Sequence, residues 1–421
     1  MKSVSGLRQS AERLYGQLDG LLYTTRVVLG VGASRLPLSS SYPHTLQTLT
    51  QQSEWLVGAL RLAGLIPFGA SVSSVDVAPF KPTESLKSSM GRVMVSFVDR
   101  DGVEGQVRAL AKFAPVGSGF RSEIVYTWQQ VNEREAAFYQ HLAPLVPIRV
   151  PKAYFAGATR FAGRMCLLLE EFQGVQEVDE GVGASLEQVE AVIDGMAQLH
   201  AHFWGVTDEE AKASWPQTQR VLGPEAVMDG LVWAKAPEAF HTIWRHTWRQ
   251  ARRNPLTLLH GDLRVGNVLF DEDTQPIFID WQASRLGQGA LDLAFFLTLS
   301  VDTALRREHQ ERWLVRYHRA LVRHGVSDYS AQDFAEHFRL NQLYTLLLLA
   351  LPQLSREVNV NEENATMSAH IADAWRERLR AYCDEIDHDW VANECGVTAE
   401  QSRFVLEFRH EEEIAEAMGA K

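Results

Sequence analysis

Asp262, Arg264, Asn267 and Asp280 punctuate an otherwise apolar stretch, LLHGDLRVGNVLFDEDTQPIFIDWQ, from Leu258 to Gln282. The strings NVLFD and PIFID flank Glu272, Asp273, Thr274 and Gln275, so the stretch reads as a hairpin. If those four residues form its loop, Asp271 pairs with Pro276 and Asn267 stands opposite Asp280, with Cβ atoms about 5 Å apart. An amide oxygen and a carboxylate converging at one end of a hairpin suit a hard cation such as magnesium. Asp262 lies five residues before Asn267, beside Gly261, where it is placed to face an incoming hydroxyl. Arg264 would bring permanent positive charge to a transferring group. Singly, each residue has an ordinary alternative as a cap or turn residue. Together they form a phosphoryl-transfer constellation, in which positioning and charge neutralisation supply most of the catalysis.

Such groups need rigid elements to hold them. Residues 1–75 read as a helical extension, with Ser53 capping a helix whose Trp55, Ala59, Leu62 and Ala63 share one face. Residues 76–172 read as a small lobe of antiparallel strands, with VDVAPF, GRVMVSFVDRDG and GQVRALAKFAP joined through a DRDG turn at Asp99 to Gly102. A helix is expected from about Ser122 to His141, and a further strand at Arg164 to Phe172. Residues 173–421 read as a larger, mostly helical lobe carrying the catalytic hairpin. Its first helix is capped by Ser185 and has Val189, Ile193, Met196, Ala197 and His200 at helical spacing. The fold class is therefore α+β.

At 421 residues with 46% hydrophobic and 22% charged side chains, the chain is long enough for two lobes and has an ordinary globular composition. Its 53 acidic residues outnumber its 41 basic ones, and no basic patch is segregated, which argues against nucleic acid or anionic membrane as partner. Cys166, Cys383 and Cys395 are far apart and lack metal-ligand spacing, so neither a disulfide framework nor a zinc site is expected. The run LYTLLLLALPQL, Leu343 to Leu354, is too short to span a bilayer. A cytoplasmic location is expected.

HGDLRVGN followed by IDWQ resembles the motifs of the aminoglycoside phosphotransferase and choline kinase group, especially its ecdysteroid-kinase-like and bacterial small-molecule branches. The resemblance implies a bilobal protein-kinase-like fold. It implies Asp262 as catalytic base or hydroxyl-orienting residue, Asn267 and Asp280 as magnesium ligands, and Arg264 at the position of a catalytic-loop lysine. GQGALDLAFFL is similar to the segment after the metal aspartate, which makes Asp292 an anchor for the catalytic loop. MAQLHAHFWG matches a family helix whose His200 and His202 are core or loop-supporting. Lys112 in ALAKFAP falls where relatives place the lysine on the nucleotide phosphates, with Glu135 of NEREAAFYQHLAP as its acid partner. LLLEEF implies a hinge, with backbone around Glu170, Glu171 and Phe172 holding the base. One departure is the phosphate-covering loop, which offers Gly91 alone, beside Ser88 and Ser89, in place of several glycines.

The implied activity uses magnesium and ATP, with GTP open as donor, and phosphorylates a small-molecule alcohol. Only twelve positions separate Asp280 from Asp292, too few for the activation segment that orders a peptide substrate. A nucleotide-binding pseudokinase or scaffold is the alternative. It is disfavoured because Asp262, Asn267 and Asp280 are all present.

Overall fold

The structure is a computed structural model that describes residues 41–80, 89–114, 131–159, 164–207, 209–211, 237–354 and 369–406. Residues 1–40 of the expected extension, Ser88, the first part of the helix expected from Ser122 and the HEEEIAEAMGAK tail lie outside them.

Two short helices, α1 (Leu46–Gln51) and α2 (Ser53–Leu62), precede the sheet. Thr45 caps α1 in a reciprocal box with Thr48, whereas Ser53 is the first residue of α2 and not its cap. The stripe α2 buries is Leu56, Val57, Ala59 and Leu60, not the expected one through Leu62, which is 82% exposed. Over so few turns the spacing admits two neighbouring stripes, and contact with the sheet decides between them.

Five antiparallel strands form that sheet in the order β1-β2-β3-β5-β4. They are β1 (Ser71–Pro79), β2 (Ser89–Val98), β3 (Glu104–Phe113), β4 (Ala153–Ala158) and β5 (Met165–Glu170). Period-two alternation sends Val93, Val95, Ala109, Ala111 and Phe113 into a core shared with α1 and α2. Lys112 therefore points to the other face. The DRDG turn forms as expected: the Asp99 N–H donates to the Val103 carbonyl at 2.9 Å, and Gly102 takes φ +80°. The Asp99 carboxylate accepts from the N–H groups of Asp101 and Val103. α3 (Val131–Ala137) continues into a π turn, Phe138–Leu142, closed by the Ala143 N–H on the Phe138 carbonyl at 2.9 Å.

The larger lobe opens with α4 (Leu186–His202), where Ser185 and Gln188 form a capping box and Val189, Ile193, Met196, Ala197 and His200 are buried. His202 is exposed, so it is not a core residue, because it lies off that stripe. α5 (Glu238–Gln250) is followed by β6 (Thr257–Leu259), the hairpin β7 (Val268–Phe270) and β8 (Pro276–Phe278), and β9 (Arg285–Gly287), which pairs with β6. Six helices complete it: α6 (Ala290–Leu299), α7 (Thr303–Arg323), α8 (Ala331–Leu354), α9 (Ala369–Asp384), α10 (His388–Cys395) and α11 (Ala399–Leu406). Every residue of α6 is buried, which is why its sequence is apolar all round. The architecture is the two-lobed α+β arrangement expected.

The β7–β8 hairpin differs from expectation by one residue. Phe270 pairs with Pro276 and Val268 with Phe278, so Asn267 stands opposite Ile279, whose N–H it accepts at 3.0 Å. The loop holds three residues, Glu272 to Thr274, because Thr274 adopts the left-handed conformation at φ +59° and the Asp271 N–H closes on the Gln275 carbonyl at 3.2 Å. A turn followed by one left-handed residue is a favoured three-residue hairpin connection.

All three cysteines are buried free thiols. No helix among the described residues is long and apolar enough to cross a membrane.

Candidate active site

Lys112 leaves β3 on the face away from α1 and α2, and its Nζ meets Glu135 Oε1 at 2.7 Å and Asp280 Oδ1 at 2.8 Å. Glu135 comes from α3 and is 1% exposed. Three residues on, on the same helical face, Phe138 stacks on Trp281 with ring centroids 4.0 Å apart and planes within 4°. One helix thus fixes both the lysine and the turn that follows Asp280, across the two lobes. Two carboxylates share one ammonium here. Burial opposes the charge on Lys112, but Asp280 and Glu135 outweigh it and hold its pKa above the ordinary value. Burial pushes Glu135 up to about 7 against the pull of Lys112. Burial also opposes ionisation of Asp280, yet Lys112 prevails, with Arg264 adding, and holds it below the usual carboxylate range.

Asp280 reaches the lysine from an unusual backbone. It takes φ +64° at the start of the turn Trp281–Ala283, a conformation that costs free energy for any residue with a Cβ. Gln282 Nε2 lies 3.3 Å from its second oxygen, and Trp281 is fixed by its Nε1 donating to the Phe278 carbonyl at 3.0 Å.

The loop carrying Asp262 is held from behind by Asp292 of α6. Its two oxygens accept the N–H groups of His260 at 2.7 Å and Gly261 at 2.9 Å. His200 Nε2 lies 3.3 Å from the same carboxylate and its Nδ1 is 2.7 Å from the Tyr317 hydroxyl. Burial resists a charge at Asp292, but the His200 contact overrides it and keeps the carboxyl below its ordinary range. Gly261 needs to be glycine: φ is +82°, and a Cβ would lie 2.1 Å from the Ala283 carbonyl oxygen. Beyond it, Asn267 Nδ2 donates to the Asp262 carbonyl at 2.8 Å and to Asp262 Oδ2 at 3.1 Å. That leaves the amide oxygen of Asn267 as the atom suited to a cation. Among the described residues no cluster of three His, Cys, Asp or Glu side chains forms a metal site.

Of the residues singled out from sequence, Lys112, Glu135, Asp262, Arg264, Asn267 and Asp280 come together. Arg264 lies with Nε 3.7 Å from Asp262 Oδ2 and is ion-paired with Glu180. Glu180 was not anticipated. It sits 84 residues upstream in the chain, and its only local signal is an acid in the glycine-flanked string VDEGVG. Glu170, Glu171 and Phe172 lie at the end of β5, where the Glu170 N–H donates to the Lys152 carbonyl at 2.8 Å. The Glu171 side chain is ion-paired with Arg92 of β2, and Phe172 carries the Arg149 guanidinium 5.1 Å from its ring centre. Ser89 opens β2 opposite Phe113. Gly91 pairs with Ala111, and a Cβ there would strike Leu46 of α1 at 2.1 Å, so packing of α1 accounts for the missing side chain. A separate cleft of about 480 Å³ between α4, α7 and the β7–β8 hairpin, lined by Arg149, Glu190, Asp194 and Arg316, contains none of these residues.

The model of the phosphotransferase enzyme family matches residues 121–334, just over half of the chain. An uncharacterized kinase-like protein of Caenorhabditis elegans is 25% identical over 238 residues, covering 50% of this chain and 62% of that protein. The chain therefore spans less than two thirds of that relative's length. A solved putative aminoglycoside phosphotransferase from Ralstonia eutropha is similar with a TM-score of 0.49 at 15% identity, over 85% of this chain and 98% of its own. A choline kinase from Streptococcus pneumoniae gives 0.42 at 13% identity, over 79% of this chain and 100% of its own. On the match over residues 121–334, the chain belongs to the phosphotransferase enzyme family.

Proposed function

We propose that the protein is a magnesium- and ATP-dependent kinase that transfers the γ-phosphoryl group to a hydroxyl of a small molecule. The observation that carries this reading is the convergence of Lys112, Glu135 and Asp280 from two lobes, beside Asp262 and Asn267. Lys112 stays charged across the assay range and would bind the nucleotide phosphates, with Glu135 fixing its direction. The carboxylate of Asp280 and the amide oxygen of Asn267 fit magnesium, a cation that takes few protein ligands and fills its shell with phosphate and water oxygens. When bound, magnesium neutralises charge on the phosphoryl oxygens.

Asp262 would orient the acceptor hydroxyl and take its proton as the new oxygen–phosphorus bond forms and the bond to the leaving ADP breaks. Arg264 would stabilise charge at the transferring group while Glu180 holds its guanidinium in place. Because the Glu170 N–H is already used by Lys152, a base would be held by the backbone groups that follow it. A small acceptor is favoured over a peptide because the chain passes from Asp280 through one tight turn and β9 directly into α6 at Ala290.

The test is a mass-spectrometric screen of pooled alcohols with magnesium and ATP, looking for the mass addition of a phosphoryl group. Asp262→Asn should bind MgATP as the wild type does and lose about 10²–10⁴-fold in turnover. Absence of MgATP binding by calorimetry would end the kinase reading. Binding without phosphorylation of any alcohol or peptide would favour the scaffold.

A further inference from the structure

Among the described residues three arginines are buried, Arg285, Arg306 and Arg378. Arg306 is paired with Glu385, and Arg378 donates to the carbonyls of Glu180, Leu299 and Gly181. Arg285, on β9, is 5% exposed, and its Nε meets no acceptor. Among the described residues no carboxylate pairs with it. The chain is rich in acids, 53 against 41 bases, so the missing counter-charge does not reflect a shortage. A guanidinium is never neutral in a protein, and burying one without a partner is among the costliest arrangements a fold can keep.

Tyr344, on which Arg285 bears electrostatically, is also unsatisfied, as are two residues on the same face of its helix. Asn341, Tyr344 and Thr345 lie on one face of α8, all fully buried. The Asn341 amide oxygen and the hydroxyls of Tyr344 and Thr345 each lack a hydrogen-bond partner. Asn341 Nδ2 donates at 2.6 Å to Gln288, three residues after Arg285, which joins this face of α8 to the end of β9. Tyr344 stacks on Trp244 of α5 at 5.1 Å. Burial raises its hydroxyl pKa, and the two cations that bear on it are Arg285 and Arg252. Native interiors satisfy nearly all such groups. A permanent cation, two hydroxyls able to donate and one amide oxygen able to accept thus lie buried here with hydrogen-bonding capacity unused.

The location connects this site to the reaction. Arg285 is paired across the strands with Leu259, three residues before Asp262. Paired Cα atoms are about 5 Å apart and three extended residues span at most about 11 Å, so the Arg285 and Asp262 Cα atoms lie no more than about 16 Å apart, a gap that their two side chains and a small bound molecule together can bridge. We propose that Arg285, with the Tyr344 and Thr345 hydroxyls, recognises an oxyanion on the acceptor, a carboxylate or phosphate carried by the molecule whose hydroxyl is phosphorylated at Asp262. This rests on the kinase reading above and narrows its substrate to anionic alcohols, in contrast to cationic ones such as choline.

Thermal unfolding of the full chain tests it, with 3-hydroxybutyrate, glycerol 3-phosphate, choline and 1,3-butanediol as probes, each with and without MgATP. The wild type should be stabilised by an anionic alcohol and not by choline or the diol. The larger of the two anionic shifts identifies carboxylate or phosphate as the group read. Arg285→Met should abolish that shift. It should also raise the ligand-free midpoint, by roughly 2–4 °C, because an uncompensated buried charge is gone. Arg285→Lys should keep part of the anionic shift. The proposal is overturned if no oxyanion shifts the wild type, if Arg285→Met keeps the shift, or if that variant is less stable without ligand, as expected for an arginine that merely holds the fold. The MgATP shift of the wild type is read separately: its absence would sink the kinase reading, whatever the anions do.

Discussion

Replacing Asp292 by alanine should unlock the loop that carries Asp262 at its first two peptides. The side chain is 1% exposed and its oxygens accept the His260 N–H at 2.7 Å and the Gly261 N–H at 2.9 Å. Hydrogen bonds to a charged group contribute about 1.5–3 kcal/mol each, and each N–H left buried without a partner costs about 1–3 kcal/mol. The variant no longer buries a carboxylate, which offsets part of this, so a net loss of about 3–5 kcal/mol is expected, the range for removing one partner of a buried charged pair. Asp292→Asn keeps one acceptor but turns an amide N–H toward the other donor, and should lose about half as much. Urea unfolding followed by tryptophan fluorescence measures both.

The pH dependence supplies an independent sign. The folded Asp292 carboxyl titrates below its ordinary value of 3.8, so between the two values the unfolded chain binds more protons. Its contribution is complete above about pH 4 and is lost as pH falls through the folded value. The alanine variant should lose stability less steeply on acidification than the wild type. Because Asp262 directly follows the freed His260 and Gly261 peptides, turnover should fall about 10²-fold, the cost of displacing a reacting group by about 1 Å. A variant within about 1 kcal/mol of wild type that retains its turnover would refute the anchor.

Lys112→Met should leave Glu135 and Asp280 facing one another without their shared cation, with a loss of about 3–5 kcal/mol and of MgATP binding by calorimetry. Adding Glu135→Gln should recover part of the stability, and a double variant no more stable than the single one would contradict the sharing of that cation. Gly261→Ala should destabilise by about 2 kcal/mol or more, since its Cβ would lie 2.1 Å from the Ala283 oxygen; an unchanged thermal midpoint would count against this loop geometry. Thr274→Asn should stabilise by about 0.5–1 kcal/mol, because a β-branched residue at φ +59° is replaced by one that tolerates that conformation. A neutral or negative shift in the thermal midpoint would refute that.

The sequence was most legible where a signal is local. The Ser185 cap, the buried stripe of α4 and the DRDG hairpin all rest on spacings of three or four residues. Asp262, Arg264, Asn267 and Asp280 were legible because they lie in one string, whereas Lys112 and Glu135 were placed through the family resemblance. What escaped was set by partners distant in sequence. Glu180 reaches Arg264 from 84 residues away, and the stack of Phe138 on Trp281 crosses from one lobe to the other. The stripe of α2 is fixed by the sheet it packs on. Arg285 went unremarked for a related reason: an arginine in a strand is ordinary, and only burial without a partner makes it informative.

The hairpin register was missed through a local signal that was present but disguised. The loops after Asp99 and Asp271 have one design: each aspartate accepts the N–H groups two and four residues on, and the residue three places on is left-handed. In the first loop that residue is Gly102, which announces the turn, and in the second it is Thr274, which does not. The shift of one residue has a consequence for the site. It places Ile279 opposite Asn267, and strand alternation would then send the Asp280 side chain to the opposite face. The φ of +64° at Asp280 turns it back, so that its Oδ1 meets Lys112 at 2.8 Å. Such a conformation costs about 1–3 kcal/mol and persists only where its surroundings overdetermine it. Here the lysine, Gln282 and the stacked Trp281 do so, which makes the strained aspartate the point where hairpin geometry and charge placement meet.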